Sequence, residues 1–180
     1  MLYYYGFHYV WENPLSINFK SFINSFRLRA IDTFIQDWGS SKEQSGVLLL
    51  YNNCKIVFEY EQYLDILPFD LRYFVTRLRT SAHSLRIHTG RYSRNNIPRN
   101  ERYCQICNLS DIEDEYHFVI TCPAYSNIRK LYNKPYFLNR PSMLKFIELI
   151  QSRNKDILLN FALYCKKPIC IRNNILNPPG

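Results

Sequence analysis

The chain contains little glycine, only 5 of its 180 residues. Because tight turns depend heavily on glycine, this scarcity disfavours an all-β fold with many turns. Hydrophobic residues make up 47% of the chain and aromatic residues 16%, which is enough to build a core. The composition therefore excludes a disordered chain. It predicts one folded domain, or one domain with a small additional module.

Long apolar runs are also missing, since none approaches the roughly 20 residues that span a bilayer. Gly46–Tyr51 is among the longest such runs. The first residues lack the basic and apolar regions of a secretion signal, so we expect a nuclear or cytoplasmic protein that is not secreted. In such compartments the six cysteines are expected to be reduced thiols or metal ligands rather than disulfides.

Acidic residues are outnumbered, with 15 Asp and Glu against 23 Lys and Arg, which leaves a net charge of +8. A basic excess of this size suits an anionic partner such as nucleic acid. A basic surface without a dedicated partner is the other interpretation of the same number.

The most specific pattern is Cys-x2-Cys-x9-His-x4-Cys, formed by Cys104, Cys107, His117 and Cys122. Three thiolates and one imidazole form a ligand set that binds Zn²⁺ tetrahedrally. Four protein ligands leave no position for a catalytic water, so the predicted zinc ion is structural. We expect only the local module to depend on it. Four residues outside the local spacing are weaker alternatives as ligands: Cys165, Cys170, His83 and His88. Three cysteines outside the motif are predicted to be buried free thiols: Cys54, Cys165 and Cys170.

Apolar residues at intervals of three and four predict a mainly α fold, a small helical domain with an embedded Cys3His module. The predicted helices span 18–38, 68–87, 116–120, 124–132, a stretch from Pro141 onward, and 156–165. Gly39 is a predicted helix stop before a loop at 40–45, and the aromatic stripe of the first helix is predicted to lie in the core. Residues 47–67 have two interpretations, either a short β-hairpin near 47–60 or short helical pieces. The predicted segments are an N-terminal helical segment (1–67), the basic and zinc-binding part (68–135), C-terminal helices (136–172) and a loose tail (173–180).

Arginines are concentrated immediately before the first cysteine. Three of them recur every seven residues and are predicted to lie along one helix flank: Arg72, Arg79 and Arg86. Four more lie in the following loop: Arg91, Arg94, Arg99 and Arg102. With Tyr92 and Tyr103 as stacking platforms, these arginines form a candidate phosphate-binding surface. The alternative is a solvated face whose charges pair with the acidic residues 111–115, which are themselves predicted to form a solvated helix start.

Several segments of this region carry a family resemblance: Arg77-Leu78-Arg79-Thr80-Ser81-Ala82-His83, Gly90-Arg91-Tyr92, Ile97-Pro98-Arg99-Asn100-Glu101-Arg102, Cys104-Gln105-Ile106-Cys107, Glu113-Asp114-Glu115-Tyr116-His117-Phe118 and Cys122-Pro123. Together they resemble the C-terminal zinc-binding region of non-LTR (LINE-type) retrotransposon reverse transcriptases. The resemblance implies the same four zinc ligands and a nucleic-acid context, either template RNA or target DNA.

Paired aspartates, which a polymerase needs to hold two Mg²⁺ ions, are missing: the chain has no Asp-Asp pair. The sequence therefore predicts a zinc-binding, nucleic-acid-binding domain without enzymatic activity, derived from a retroelement. The expected partner is RNA or DNA, with no membrane and no small-molecule substrate. The alternative function is a protein-interaction or scaffold module in which zinc only stabilises the fold.

Overall fold

The computed structural model describes residues 1–94 and 96–178. This part of the chain is mainly helical, which confirms the predicted fold class. It forms two compact units, Met1–Gly46 and Val47–Gly180. The segment boundaries predicted after residues 67 and 135 stay predictions. Within the described ranges, none of the helices combines the length and the apolar character that a membrane crossing requires.

The first unit contains a short helix α1 (Tyr9–Glu12) and a long helix α2 (Phe19–Gln44). Asn18 caps α2, because its side chain accepts a hydrogen bond of 3.0 Å from the backbone N–H of Ser21. Gly39 does not end the helix as predicted, and the expected loop at 40–45 is helical as far as Gln44. A glycine inside a helix costs only about 1 kcal/mol relative to alanine. The serines and charged residues that follow Gly39 are compatible with a helix, so the cost of this glycine does not end α2.

The aromatic stripe of α2 packs against the N-terminal residues around Phe26, whose ring lies 5.2 Å from that of Tyr5. Phe22 and Phe26 contact Phe7, with ring centroids 5.6 and 5.7 Å apart. No residue of α2 is buried, and Phe19 is 73% exposed. The prediction that this stripe forms part of the core is therefore wrong for most of its length.

The second unit consists of short helices that pack around one long C-terminal helix. Its helices are α3 (Leu49–Cys54), α4 (Tyr63–Ile66), α5 (Phe69–Arg79), α6 (Arg86–Thr89), α7 (Ser126–Tyr132), α8 (Pro135–Leu138), α9 (Met143–Ile150) and α10 (Lys155–Leu176). Helix α10 packs against α4, α5, α7 and α9. Fully buried side chains such as Val75 and Leu78 of α5 and Phe161 of α10 form the core.

Packing decides between the two interpretations of residues 47–67. This stretch contains the short helices α3 and α4, which is the helical interpretation and not the hairpin. Leu50 and Cys54 are four residues apart and are the buried residues of α3.

Helix α10 extends beyond the predicted end at residue 165 and includes 173–176, where a loose tail is predicted. Residues 179 and 180 of that tail lie outside the described part.

The helix predicted over 68–87 is interrupted after Arg79. Ser81 adopts a positive φ of 54°, and the N–H of Ala82 donates to the carbonyl of Arg77 over 2.9 Å. This is a Schellman-type helix end, with serine at the position where glycine is usual. The Ser81 hydroxyl donates to Glu115 over 2.8 Å, which holds the residue in this conformation. Arg79 and Arg86 consequently lie in different helices.

Candidate metal centre and basic surface

A short antiparallel pairing positions the first two cysteines. Tyr103 pairs with Ile112. The Cys104 N–H donates to the carbonyl of Asp111 over 2.8 Å, and the Glu113 N–H donates to the carbonyl of Arg102 over 2.9 Å. Cys107 lies in the loop between the two paired segments, so both sulfurs are at the same end of this pairing.

The other two motif residues are held by a π-helical turn, His117–Thr121. Asp114 caps this turn, because its carboxylate accepts a 2.8 Å hydrogen bond from the N–H of His117. The N–H of Cys122 donates to the carbonyl of His117 over 2.7 Å. A hydrogen bond across five residues is typical of the wide π-helical turn. It brings Cys122 next to His117.

The four ligand atoms meet in one cluster. All of them lie within 4.8 Å of one another, and Cys104, His117 and Cys122 are buried while Cys107 is partly buried. The Cys107 Sγ is 3.4 Å from the Nε2 of His117. The structure therefore brings together the four residues that the spacing predicts, in an arrangement that could hold a metal ion.

The Nδ1 nitrogen of His117, on the side of the ring away from Cys107, makes the contacts that orient the imidazole. Its Nδ1 lies 3.2 Å from the Thr121 hydroxyl and 3.6 Å from a carboxylate oxygen of Asp111. A proton on Nδ1 can be donated to the Thr121 hydroxyl, with the Asp111 carboxylate nearby, and leaves the lone pair of Nε2 directed toward the cysteines. This is the orienting arrangement that metal-binding histidines commonly have.

The three thiols of the cluster differ in the direction of their pKa shifts. A hydrogen bond from Cys122 lowers the pKa of Cys104 to about 3. The same bond raises the pKa of Cys122 far above its ordinary value, and burial raises the pKa of Cys107. Negative charge in the cluster therefore favours Cys104 over Cys107 and Cys122. A bound cation would displace the remaining thiol protons, because metal ligation requires the thiolate form.

The buried carboxylate of Glu113 lies next to the cluster and bonds to neighbouring segments. Glu113 is 1% exposed, and its two oxygens accept hydrogen bonds from Arg172 of α10, both 2.7 Å long. One oxygen also accepts the backbone N–H of Arg86 over 2.7 Å, and the other lies 3.9 Å from the Cys104 sulfur. The prediction that residues 111–115 form a solvated helix start is therefore wrong for Glu113. This residue connects the Cys3His cluster with α6 and α10.

Glu115 makes a second internal connection. The Nε2 of His83 is 2.8 Å from Glu115, and the Nδ1 of His83 accepts a 3.3 Å hydrogen bond from the N–H of Leu85. These contacts assign the proton of the imidazole to Nε2. Burial by itself raises the pKa of Glu115, but the hydrogen bond and the charge of His83, with smaller contributions from a backbone N–H and from Ser81, outweigh burial and lower it overall.

Among the described residues, the group of ligand atoms does not include the four alternative ligands Cys165, Cys170, His83 and His88. His83 contacts Glu115 instead, and Cys165 is fully buried. Cys54 is buried as predicted, but Cys170 is exposed, so the prediction of a buried thiol is wrong for that residue.

Two arginines of the predicted phosphate-binding surface belong to the interior. Arg79 is 4% exposed, lies 4.7 Å above the ring of Tyr63 and forms a 2.9 Å ion pair with Glu61. Arg102 is 6% exposed and donates to the carbonyls of Ile97 and Ile87, each over 2.8 Å. Both guanidinium groups therefore stabilise the fold. They are buried and not exposed on a helix flank or loop, so the prediction that they contact phosphates stays without support from their positions.

Arg72 and Arg86 are partly buried. The Nε of Arg72 donates to the carbonyl of Leu67 over 2.6 Å. Because α5 ends at Arg79, Arg86 does not continue a flank with Arg72. The predicted seven-residue row of arginines is therefore not formed.

Three of the remaining candidates, Arg91, Tyr92 and Arg94, lie in a closed loop, and Arg99 and Tyr103 follow it in the segment that leads to Cys104. The Ile97 N–H donates to the carbonyl of Gly90 over 3.0 Å, which closes residues 90–97 into a loop. Arg94, Arg99, Tyr92 and Tyr103 are exposed, and Arg91 is partly exposed. Burial lowers the pKa of Arg102, and the nearby charges of Arg91 and Arg99 lower it further. We call Arg91, Tyr92, Arg94, Arg99 and Tyr103 the basic surface. Asn95 of this loop lies outside the described residues.

Comparisons of the chain with protein-family models, with curated proteins and with solved structures find no match. The resemblance to retrotransposon reverse transcriptases therefore stays a hypothesis that rests on the motifs alone.

Proposed function

We propose that this chain is a non-catalytic domain that binds one structural zinc ion and uses the adjacent basic surface to bind nucleic acid. The observation that carries the proposal is the buried Cys3His cluster, whose ligand atoms lie within 4.8 Å of one another. In a tetrahedral site with Zn–S bonds of about 2.3 Å, sulfur atoms are about 3.8 Å apart. A small inward movement of the ligands would therefore complete the site.

Zinc is the metal that this ligand set favours. Thiolate and imidazole ligands in a tetrahedral arrangement are typical of Zn²⁺, whereas Mg²⁺ and Ca²⁺ prefer oxygen ligands. With four protein ligands the ion has no open position for water or substrate. Its proposed role is therefore to stabilise the fold and not to catalyse a reaction.

Metal analysis of the purified full-length chain tests this step. We expect one zinc ion per chain, and loss of zinc in Cys107→Ser and His117→Ala. Cys170→Ser is the matched control, because it removes an exposed thiol outside the cluster. Zinc that persists at full occupancy in Cys107→Ser and His117→Ala would contradict the proposal.

The nucleic-acid part of the proposal is supported by the position and chemistry of the basic surface. Exposed guanidinium groups can contact phosphates through paired hydrogen bonds. Tyr92 is 71% exposed and Tyr103 is 46% exposed, so both rings are accessible for stacking on unpaired bases. Tyr103 directly precedes the cluster residue Cys104, so a bound metal would fix the backbone from which this ring projects.

The salt dependence of oligonucleotide binding tests the second step. Each phosphate contact contributes about −0.7 to −0.9 to the slope of log affinity against log salt. The double variant Arg94→Ala with Arg99→Ala is expected to reduce the magnitude of this slope by about 1.4–1.8. The control is Lys130→Ala with Lys134→Ala, which removes the same charge from exposed positions elsewhere. Equal slopes for the two double variants would refute the basic surface as the binding site.

A zinc-stabilised interaction or scaffold module is the second candidate function. The burial of Arg79 and Arg102 favours it, since both guanidinium groups are used internally and are removed from the predicted surface. Zinc binding with no salt-dependent affinity for RNA or DNA would support this alternative. The proposed retroelement origin rests on the motif resemblance and on no further observation.

A further inference from the structure

A cavity of about 310 Å³ lies in the second unit. Its walls come from the segment that follows α3, from Arg79 at the end of α5, and from residues 150–153 at the end of α9. Its volume is at the lower end of the range for small-ligand sites, about 300–1,000 Å³. The basic surface contributes no residue to its walls.

Two buried cations line this cavity and share one carboxylate. The side chains of Lys55 and Arg79 are 6% and 5% exposed. The Nζ of Lys55 is 3.0 Å from one oxygen of Glu61, and the Nη2 of Arg79 is 2.9 Å from the other. Lys55 also donates to the carbonyl of Glu59. The two cations together carry one positive charge more than Glu61 neutralises.

The rest of the lining leaves this excess in place. Arg153 and Glu59 also line the cavity and are both exposed, so the lining as a whole has three cations and two carboxylates, a difference of +1. Opposite charges and additional hydrogen bonds offset the cost of taking charged groups out of water. An anion in the cavity would meet this positive excess and the buried donors of Lys55 and Arg79.

Apolar groups lie next to these charges. Ile56, Val57 and Tyr60 line the cavity and are 78%, 63% and 62% exposed. Convergent polar groups beside apolar walls are typical of sites for small organic ligands. The combination fits a ligand that has one anionic group and a small apolar body.

We propose that this cavity binds a small ligand through an oxyanion group, a phosphate or a carboxylate, held by Lys55 and Arg79. Glu61 positions the two cations and competes with the ligand for them. This site is separate from the proposed nucleic-acid surface, and it does not depend on whether that surface binds RNA or DNA.

Nuclear magnetic resonance titration of the zinc-loaded full-length chain tests the site, with inorganic phosphate and acetate as the two probes. We expect saturable shifts of the backbone amides in 54–63 and 150–153 for at least one probe. The stronger probe identifies the preferred oxyanion. Sodium chloride at matched ionic strength is the control. No saturable shifts, shifts confined to residues 90–102, or equal shifts with chloride would overturn the proposal.

Two variants with opposite expected effects separate ligand binding from a purely structural ion pair. Lys55→Gln removes a charged donor and is expected to weaken binding of the preferred probe by about tenfold or more. Glu61→Gln removes the competing carboxylate and is expected to tighten it. Lys155→Gln, an exposed cation outside the cavity, is expected to leave affinity unchanged.

If Lys55→Gln does not fold, the affinity of Glu61→Gln for the preferred probe still tests the proposed site. If the ion pairs of Glu61 are purely structural, both Lys55→Gln and Glu61→Gln should be less stable, and Glu61→Gln should bind the probe no more tightly than the unchanged chain. Unchanged or weakened binding in a folded Glu61→Gln chain would therefore overturn the proposal.

Discussion

At the scale of single residues, buried charged groups determine how the candidate metal cluster is held. Glu113 and Arg172 are 59 positions apart and form a paired hydrogen bond inside the second unit. Neither the cysteine spacing nor the helical periodicity predicts this pair. A pairing between the acidic segment and a distant helix has no local sequence signal, because it depends on how α10 packs.

Removing the charge of Glu113 should strongly destabilise the second unit. Glu113→Gln leaves the buried Arg172 without its counter-charge, and breaking a buried pair costs about 3–5 kcal/mol. The measurement is the free energy of unfolding in urea. In Glu113→Gln combined with Arg172→Met, we expect a smaller loss than the sum of the single changes, because the orphaned charge is gone. Strictly additive losses would show that the pair contributes little.

The stability that Glu115 provides should depend on pH. Its pKa is lowered in the folded chain, so the stabilisation is present above the unfolded pKa and is lost as pH falls through the folded pKa. Glu115→Gln is expected to cost about 1–3 kcal/mol at neutral pH. The difference from the unchanged chain should shrink below about pH 4, near the ordinary carboxyl pKa.

Urea unfolding at several pH values measures this dependence. Glu101→Gln is the control, because Glu101 is an exposed carboxylate. A deficit for Glu115→Gln that is the same at every pH would mean that the carboxylate charge is not what stabilises the fold.

At the scale of elements, helix ends decide which arginines lie together. Ser81 ends α5 in a left-handed conformation, and the chain then turns into α6. The sequence carries no glycine at this point, so a continuous helix over 68–87 is the natural local prediction. The hydrogen bond from Ser81 to Glu115 supplies what the local sequence lacks.

Two glycines should respond in opposite ways to alanine. An added Cβ at Gly39 meets no atom within 4 Å, so Gly39→Ala is expected to stabilise α2 by about 0.5–1 kcal/mol. At Gly90 the same atom would lie 2.8 Å from the carbonyl oxygen of Arg86 and 2.9 Å from the buried side chain of Arg102. Gly90→Ala is therefore expected to cost about 1–3 kcal/mol.

Amide hydrogen exchange can follow each unit separately. Gly39→Ala should increase protection in α2, and Gly90→Ala should decrease protection around α6. Unchanged protection around α6 in Gly90→Ala would show that the loop accommodates the methyl group without cost.

At the scale of the second unit, the candidate metal cluster is part of the main core. The Tyr164 hydroxyl of α10 donates to the carbonyl of Phe118 over 2.6 Å. The buried Arg129 donates to the carbonyls of Val119 and Cys122, each over 2.7 Å. The turn that carries two of the cluster residues is thus bonded directly to α7 and α10.

This packing changes the expected effect of metal removal. The sequence alone predicts that only the local module depends on zinc. Because the cluster shares its core with α7 and α10, we instead expect chelation to lower protection from amide exchange in α10 as well as in 102–125. Loss of protection limited to 102–125 would support the local interpretation. The zinc-loaded chain should also lose its metal on acidification, since protons compete for the thiolates.

The sequence by itself determines the metal-binding cluster, because all four ligands lie within 19 consecutive positions and local turns bring them together. It also determines the helical class through periodicity, since the apolar spacing of elements such as α5 and α9 is a local property. Only the tertiary structure decides that Arg79 and Arg102 are buried while Arg94 and Arg99 are exposed. These four side chains are chemically identical. Arg79 is held by Glu61, 18 positions away, and Arg102 by Ile87, 15 positions away, so no local pattern can distinguish a guanidinium group that stabilises the fold from one that is exposed to solvent.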